Sequence, residues 1–153
     1  MAMTMQGEVT LPANRERVWE ALNDPEVLKA CIPGVQELDK VSDTEFRATA
    51  KLAVGPVKAS FKGVVTLNDL DPPNGYRIAG EGQGGVAGFA KGGAQVRLEE
   101  AEGGTKLSYD VDAQVGGKIA QLGGRLINGV AKKYADEFFA NFAKHLAPAE
   151  NAA

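Results

Sequence analysis

The chain has 153 residues, 44% hydrophobic and 24% charged, which suits one ordinary globular domain with one sizeable core. A formal net charge of −3 and a pI near 5.2 argue against a nucleic-acid binder, which needs a basic surface to meet phosphates. The single cysteine, Cys31, excludes an internal disulfide, and no stretch approaches the roughly 20 apolar residues of a membrane span.

A lone thiol fits a reducing cytoplasm. The opening MAMTMQGEVT has no basic region followed by an apolar run, so no signal peptide is expected. Thr4 to Leu11 reads as a first strand, stopped by Pro12. Asn14 is placed to cap a helix over Arg15 to Leu22, with Val18, Trp19 and Leu22 on one face. Asp24-Pro25 is a second start signal, for a short helix over Glu26 to Ala30 that ends before Ile32-Pro33-Gly34.

The period then becomes two. Phe46, Ala48, Ala50 and Leu52 form one inward row. Val57, Ala59, Phe61, Gly63, Val65 and Leu67 follow after the Gly55-Pro56 turn. Beyond Asp71-Pro72-Pro73-Asn74-Gly75 come Tyr76, Ile78, Gly80 and Gly82. A glycine-rich break leads to Ala90, Gly92, Ala94, Val96 and Leu98. Glu102-Gly103-Gly104 turns the chain into Leu107, Tyr109, Val111, Ala113 and Val115. Alternation of this kind predicts an antiparallel meander with one wet and one buried face. From Lys118 to Leu146, apolar residues recur at three- and four-residue steps, among them Ile119, Leu122, Leu126, Ile127, Val130, Tyr134, Phe138 and Phe142. They predict one long helix lying in the concave face of the sheet. The expected class is α+β, about seven strands around a long C-terminal helix, as one domain over residues 1–147. A disordered tail is expected over 148–153.

Ten of the 24 inward positions between Phe46 and Val115 are Ala or Gly. A solid core between sheet and helix wants larger side chains there. Glycines also thin the start of the helix, at Gly116, Gly117, Gly123, Gly124 and Gly129. Two readings stand. Small residues let helix and sheet approach closely and mark bulges where the sheet bends. Alternatively, they line a hole. A pocket of about 300 Å³ is the minimum for a drug-sized ligand. At roughly 24 cal/mol per Å³, leaving it empty forfeits about 7 kcal/mol. That is comparable with a whole domain's stability of about 5–15 kcal/mol, so such a hole implies an occupant.

Catalytic and metal-binding constellations are hard to find. His145, the only histidine, sits in the last turn of the final helix, where it suits the negative helix end. One His and one Cys make no zinc site. Cys31 reads as a buried thiol. Gly80-Glu81-Gly82-Gln83-Gly84-Gly85 matches the dinucleotide-binding spacing, but a strand rather than a crossover helix follows it. Asp110 and Asp112 fall on the wet face of their strand.

Four segments together resemble the CoxG family of carbon monoxide dehydrogenase proteins, within the START-like (SRPBCC) helix-grip superfamily. They are Val18-Trp19-Glu20-Ala21-Leu22-Asn23-Asp24-Pro25, then Cys31-Ile32-Pro33-Gly34. Next is Gly82-Gln83-Gly84-Gly85 through Gly88-Phe89-Ala90-Lys91-Gly92. The last is Gly116-Gly117-Lys118-Ile119-Ala120-Gln121-Leu122-Gly123-Gly124-Arg125-Leu126-Ile127 leading into Phe138-Phe139-Ala140-Asn141-Phe142. The resemblance implies a non-catalytic accessory protein of a molybdenum-containing carbon monoxide dehydrogenase or related hydroxylase. It also implies a place in the cytoplasm or at the inner face of the cytoplasmic membrane. A hydrophobic cavity holding a quinone, menaquinone or ubiquinone, is implied as well, with no covalent cofactor and no metal. Many members continue past the domain with a proline-rich linker and an apolar tail; this sequence ends at Pro148-Ala149-Glu150-Asn151-Ala152-Ala153.

The candidate ligand-binding residues are Trp19, Leu22, Phe46, Ala48, Ala50, Leu52, Ala59, Phe61, Gly63, Tyr76, Ile78, Gly80, Ala90, Gly92, Ala94, Tyr109, Val111, Ala113, Leu122, Leu126, Ile127 and Val130. A quinone ring would stack near Trp19, Phe46, Phe61 or Tyr76, with the Ala and Gly positions accommodating its chain. Gly123 and Gly124 are candidates for a helix shift that opens the entrance. The alternatives are a cyclase or hydratase using Tyr76 and Tyr109, a generic lipid-binding protein, or a scaffold that docks a dehydrogenase.

Overall fold

The computed structural model describes residues 2–146. Strand β1 (Ala2–Leu11) leads into α1 (Arg15–Leu22) and α2 (Pro25–Cys31). Six strands follow: β2 (Val35–Ser42), β3 (Glu45–Val54), β4 (Val57–Asp71), β5 (Gly75–Gln83), β6 (Phe89–Ala101) and β7 (Gly104–Gly116). A 3-10 turn at Gly85–Ala87 separates β5 from β6. A second, Lys118–Leu122, precedes the long helix α3 (Gly124–Leu146). The expected tail over 148–153 lies outside the described residues.

The caps are those the sequence predicts. Asn14 accepts from the Arg17 N–H at 2.9 Å, and Asp24 accepts from the Glu26 N–H at 2.9 Å with Pro25 opening α2. The seven strands form one antiparallel curved sheet in the order β1-β7-β6-β5-β4-β3-β2. Only β2 carries no clear period-two signal. Its Val35 and Leu38 are half-buried, the rest is exposed or polar, and the register slips on both sides of the Glu37–Lys40 stretch. It is an edge strand, so one face and one side need little apolar surface.

The predicted long helix begins later than its apolar period suggests. Gly123 has φ +90°, a left-handed conformation that breaks the spiral, so Lys118–Leu122 is a separate 3-10 segment. Gly116 ends β7 and Gly117 caps the 3-10 segment; of the five glycines, Gly124 opens α3 and Gly129 alone lies inside it. A glycine inside a helix costs roughly 1 kcal/mol against alanine, and only Gly129 stands where that cost applies.

Buried side chains form two clusters. The larger holds Leu11, Val18, Leu22, Phe46, Leu98, Leu107, Phe142 and Leu146, among others, and joins α1, α2 and the C-terminal half of α3 to the sheet. The smaller holds Val115, Ile119 and Ile127, with Met3, Val54, Val57, Phe61 and Ala90 against it. Thr105, the one buried polar side chain among the described residues, donates its hydroxyl to the Ala13 carbonyl at 2.7 Å and so ties the β1–α1 corner to β7. Cys31 is buried as expected; burial pushes its thiol pKa up, and Asn141 Nδ2 donates to its carbonyl at 3.0 Å.

Candidate functional site

Between the two clusters the inner face of the sheet runs out of side-chain volume. The register sets Ala48, Gly63, Gly82 and Ala90 side by side across β3 to β6. The neighbouring row runs Val65, Gly80, Gly92 and Ala113. The two readings of these small residues divide by position. At Gly92 an added Cβ would collide with the Asp112 carbonyl oxygen, so bare backbone is needed where bent strands crowd. At Gly80 and Gly82 an added Cβ would meet only neighbouring-strand atoms, at 3.6 Å or more, and nothing from the helix. Space is left open there.

The main cavity lies beside this band, towards the larger cluster. It measures about 400 Å³ and is roofed by α2 and the middle of α3. Its floor comes from β1, β4, β5, β6 and β7, with Phe46 of β3 and Leu38 of β2 closing one side. Of the predicted site residues, Leu22, Phe46, Tyr76, Ile78, Ala94, Tyr109 and Val111 line it. Met5, Leu28, Ile32, Val65, Leu67, Val96, Leu107, Tyr134, Ala135, Phe138 and Phe139 line it too and were not among the candidates. Several of these share a signal with residues that were: Val65, Leu67 and Val96 stand in the same alternating rows, and Tyr134 and Phe138 on the same helix stripe.

The other candidates sit elsewhere. Trp19 belongs to the larger cluster and meets Tyr76 edge-on, ring centroids 5.2 Å apart, behind the cavity wall. Ala48, Gly63, Gly80, Gly92 and Ala113 also border shallow grooves on the outer sheet face, and Ala50, Leu52 and Ala59 continue the inner rows of β3 and β4. Phe61, Ala90 and Ile127 belong to the smaller cluster. Leu122, Leu126 and Val130 face a surface groove along α3 rather than the cavity. For Leu122 the reason is the break at Gly123; for Leu126 and Val130 it is that the start of α3 lies by the β3–β4 hairpin rather than over the sheet floor. The hairpin is held there: the Tyr134 hydroxyl accepts from the Ala53 N–H at 3.2 Å, and Gly55 packs so close to Leu126 that a Cβ would come within 2.8 Å of it.

Aromatic rings connect the cavity to the core. Tyr109 stacks on Phe139 at 5.4 Å, Phe139 meets Phe138 edge-on at 5.0 Å, and Phe138 stacks on Phe142 at 5.3 Å. Gly7 makes this possible, since any Cβ there would collide with the Tyr109 ring. Polar atoms are few: among the described lining side chains only the hydroxyls of Tyr76, Tyr109 and Tyr134 can form hydrogen bonds. Tyr76 is 3% exposed and its hydroxyl makes no side-chain hydrogen bond, but the one fully buried side-chain polar atom without a partner among the described residues is Arg15 Nε, so the phenol oxygen still borders open space. Burial alone raises its pKa far above the ordinary phenol value, so it stays a neutral donor.

The sequence model of CoxG, a family named for carbon monoxide dehydrogenase, matches residues 7–147. The chain belongs to this family. A conserved protein from Geobacillus kaustophilus is 30% identical, with a TM-score of 0.88 over 94% of this chain and 95% of that one. A START superfamily protein from Mycobacterium smegmatis is 13% identical, with a TM-score of 0.72 over 94% of this chain and 96% of that one. The di-domain ARO/CYC BexL from the BE-7585A biosynthetic pathway is 12% identical, with a TM-score of 0.65 over 96% of this chain and 50% of that one. No curated relative matches by sequence. The last two likenesses show the START-like fold of this CoxG chain and nothing finer. Residues 80–85 close β5 and enter a 3-10 turn, so the dinucleotide reading of that glycine run does not apply. Asp110 and Asp112 are exposed, with Asp112 facing Arg77 at 3.9 Å. No helix among the described residues is long and apolar enough to cross a membrane.

Proposed function

We propose that this CoxG chain carries a hydrophobic small molecule bearing an oxygen acceptor at its inner end, a quinone such as menaquinone or ubiquinone. We propose further that it serves a molybdenum-containing carbon monoxide dehydrogenase or related hydroxylase and links that enzyme to the cytoplasmic membrane. The observation that supports the ligand class is an apolar cavity of about 400 Å³ in which the Tyr76 hydroxyl is one of three side-chain groups able to form a hydrogen bond. A quinone carbonyl accepts from a neutral phenol such as Tyr76 without adding charge to the cavity. The remaining lining would bury an isoprenoid segment at roughly 25 cal/mol per Å². Family membership supports the dehydrogenase as partner.

A cyclase in the same cavity keeps one observation, the perturbed Tyr76 phenol. Its shift makes the group a weaker acid, and no carboxylate, His or Lys stands among the described lining residues to pair with it. The carrier reading is therefore preferred.

Organic extraction of the purified protein, followed by mass spectrometry, is expected to release a quinone. Titration with menaquinone or ubiquinone is expected to quench Trp19, which touches Tyr76. Neither quinone nor lipid in the extract, with no quenching, overturns the proposal. Tyr76→Phe gives a sharper test. Quinone affinity should fall about 3- to 10-fold, the worth of one hydrogen bond, while the ligand-free protein keeps its thermal stability because the hydroxyl holds no partner in it. An unchanged affinity removes Tyr76 as the anchor.

A further inference from the structure

Leu122, Leu126 and Val130 stand at four-residue steps and line a groove of about 450 Å³ along the start of α3. Leu126 is 37% exposed there. Gly129, Arg125 and Lys133 line the same groove, and no carboxylate among the described residues does. Both cations are exposed and make no salt bridge among the described residues. Their alkyl stems can lie along an apolar guest while the charges stay in water.

Packing gives no reason for Gly129. It lies inside α3 without a positive φ, so its backbone suits any good helix former. A Cβ added to it would meet nothing within 4 Å, so no neighbour needs the space. Gly55 differs, since a Cβ there would come within 2.8 Å of Leu126. Glycine is the poorest residue for a helix interior after proline. What the missing side chain provides at residue 129 is an open groove.

The groove adjoins the cavity. Val130 and Lys133 line the first; Tyr134 and Ala135, next along the helix, line the second. Tyr134 stands one turn beyond Val130, with its hydroxyl accepting from the Ala53 N–H across the gap to β3. A chain that leaves the cavity beside Tyr134 meets the groove first. A long tail has to leave. At the packing density of a protein interior, a space of about 400 Å³ holds roughly 20 non-hydrogen atoms. A substituted quinone ring takes about two thirds of them, and one isoprene unit takes most of the rest.

We propose that the α3 groove is a second ligand subsite, holding the part of an isoprenoid tail that the cavity cannot. This rests on the carrier reading, which accounts for the ring and the first isoprene unit. It gives Leu122, Leu126 and Val130 contact with the ligand outside the cavity.

Trp19 quenching is measured with menadione, which has the ring and no tail, and with menaquinones of one and of four isoprene units. Four units should bind at least about tenfold more tightly than one; about 60 Å² of buried apolar tail is enough for that gain. Gly129→Leu should remove the gain, because its side chain fills the groove, and leave menadione affinity within about twofold. The same variant should melt at a higher temperature, since leucine is the better helix former and its Cβ meets no obstacle. Ala140→Leu, exposed on a later turn of α3, should keep the gain. No quenching by any of the three compounds defeats the carrier reading and the tail path with it. Menadione binding with equal affinity for one and four units overturns the tail path alone and leaves the groove to a protein partner. A gain that survives Gly129→Leu, or that Ala140→Leu removes equally, overturns it as well.

Discussion

Ala94→Phe is expected to lower ligand affinity at least about a hundredfold in a protein that still folds. Ala94 stands on the cavity floor, flanked across strands by Ile78 and Val111, both of which also line the space. A benzyl ring there occupies volume that the ligand would need. In a packed core the same enlargement would cost about 1–3 kcal/mol through strain. Here the ring enters open space, and cavity filling commonly adds about 0.5–2 kcal/mol. The signature is therefore two-sided, with lost quinone quenching of Trp19 and a melting temperature that holds or rises. Unchanged affinity would place the ligand elsewhere, and the outer-face grooves around Gly80 and Gly63 would be next to examine.

Phe142→Ala is expected to cost about 3–5 kcal/mol, the range for deleting a fully buried aromatic. Phe142 is 0% exposed and lies in the larger cluster. It also ends the ring chain that runs through Phe138 and Phe139 to Tyr109. The loss is comparable with the whole stability of a marginal domain, about 5–15 kcal/mol. Urea denaturation should show a midpoint shift at constant slope. A change below about 1 kcal/mol would mean that the surrounding side chains collapse into the gap.

The architecture was legible because its signals are local. Asn14 and Asp24-Pro25 announce their helices by capping chemistry, and the alternation from Phe46 to Val115 is unbroken enough to set the register of five strands. Val35–Ser42 was not legible as a strand, since an edge position asks little of side chains. The cavity lining was legible only in part. Tyr76, Ile78, Ala94, Tyr109 and Val111 follow from parity alone. Leu122, Leu126 and Val130 share the helical period of the lining residues Tyr134 and Phe138 but border a surface groove: Leu122 stands before the left-handed residue at Gly123, and the first turns of α3 lie by the β3–β4 hairpin, neither of which the period reveals. The contribution of Met5, Leu28 and Ile32 depends on how α2 and β1 approach the sheet, which is a tertiary fact. Small residues were a fair sign that a void exists and a poor guide to its place. They mark both the crowded backbone at Gly92 and the open ground at Gly80 and Gly82.

The division of buried side chains into two groups has a bearing on how a guest enters. Hydrogen bonding is continuous across all seven strands, but the glue between layers is not. Lifting the start of α3 away from the β3–β4 hairpin disturbs Val115, Ile119, Ile127 and their few neighbours, together with the Leu126–Gly55 contact and the Ala53–Tyr134 hydrogen bond. The principal hydrophobic mass around Leu11, Leu107 and Phe142 is untouched. Local opening should therefore cost least at that extremity, where fewer buried side chains have to separate than around the larger cluster.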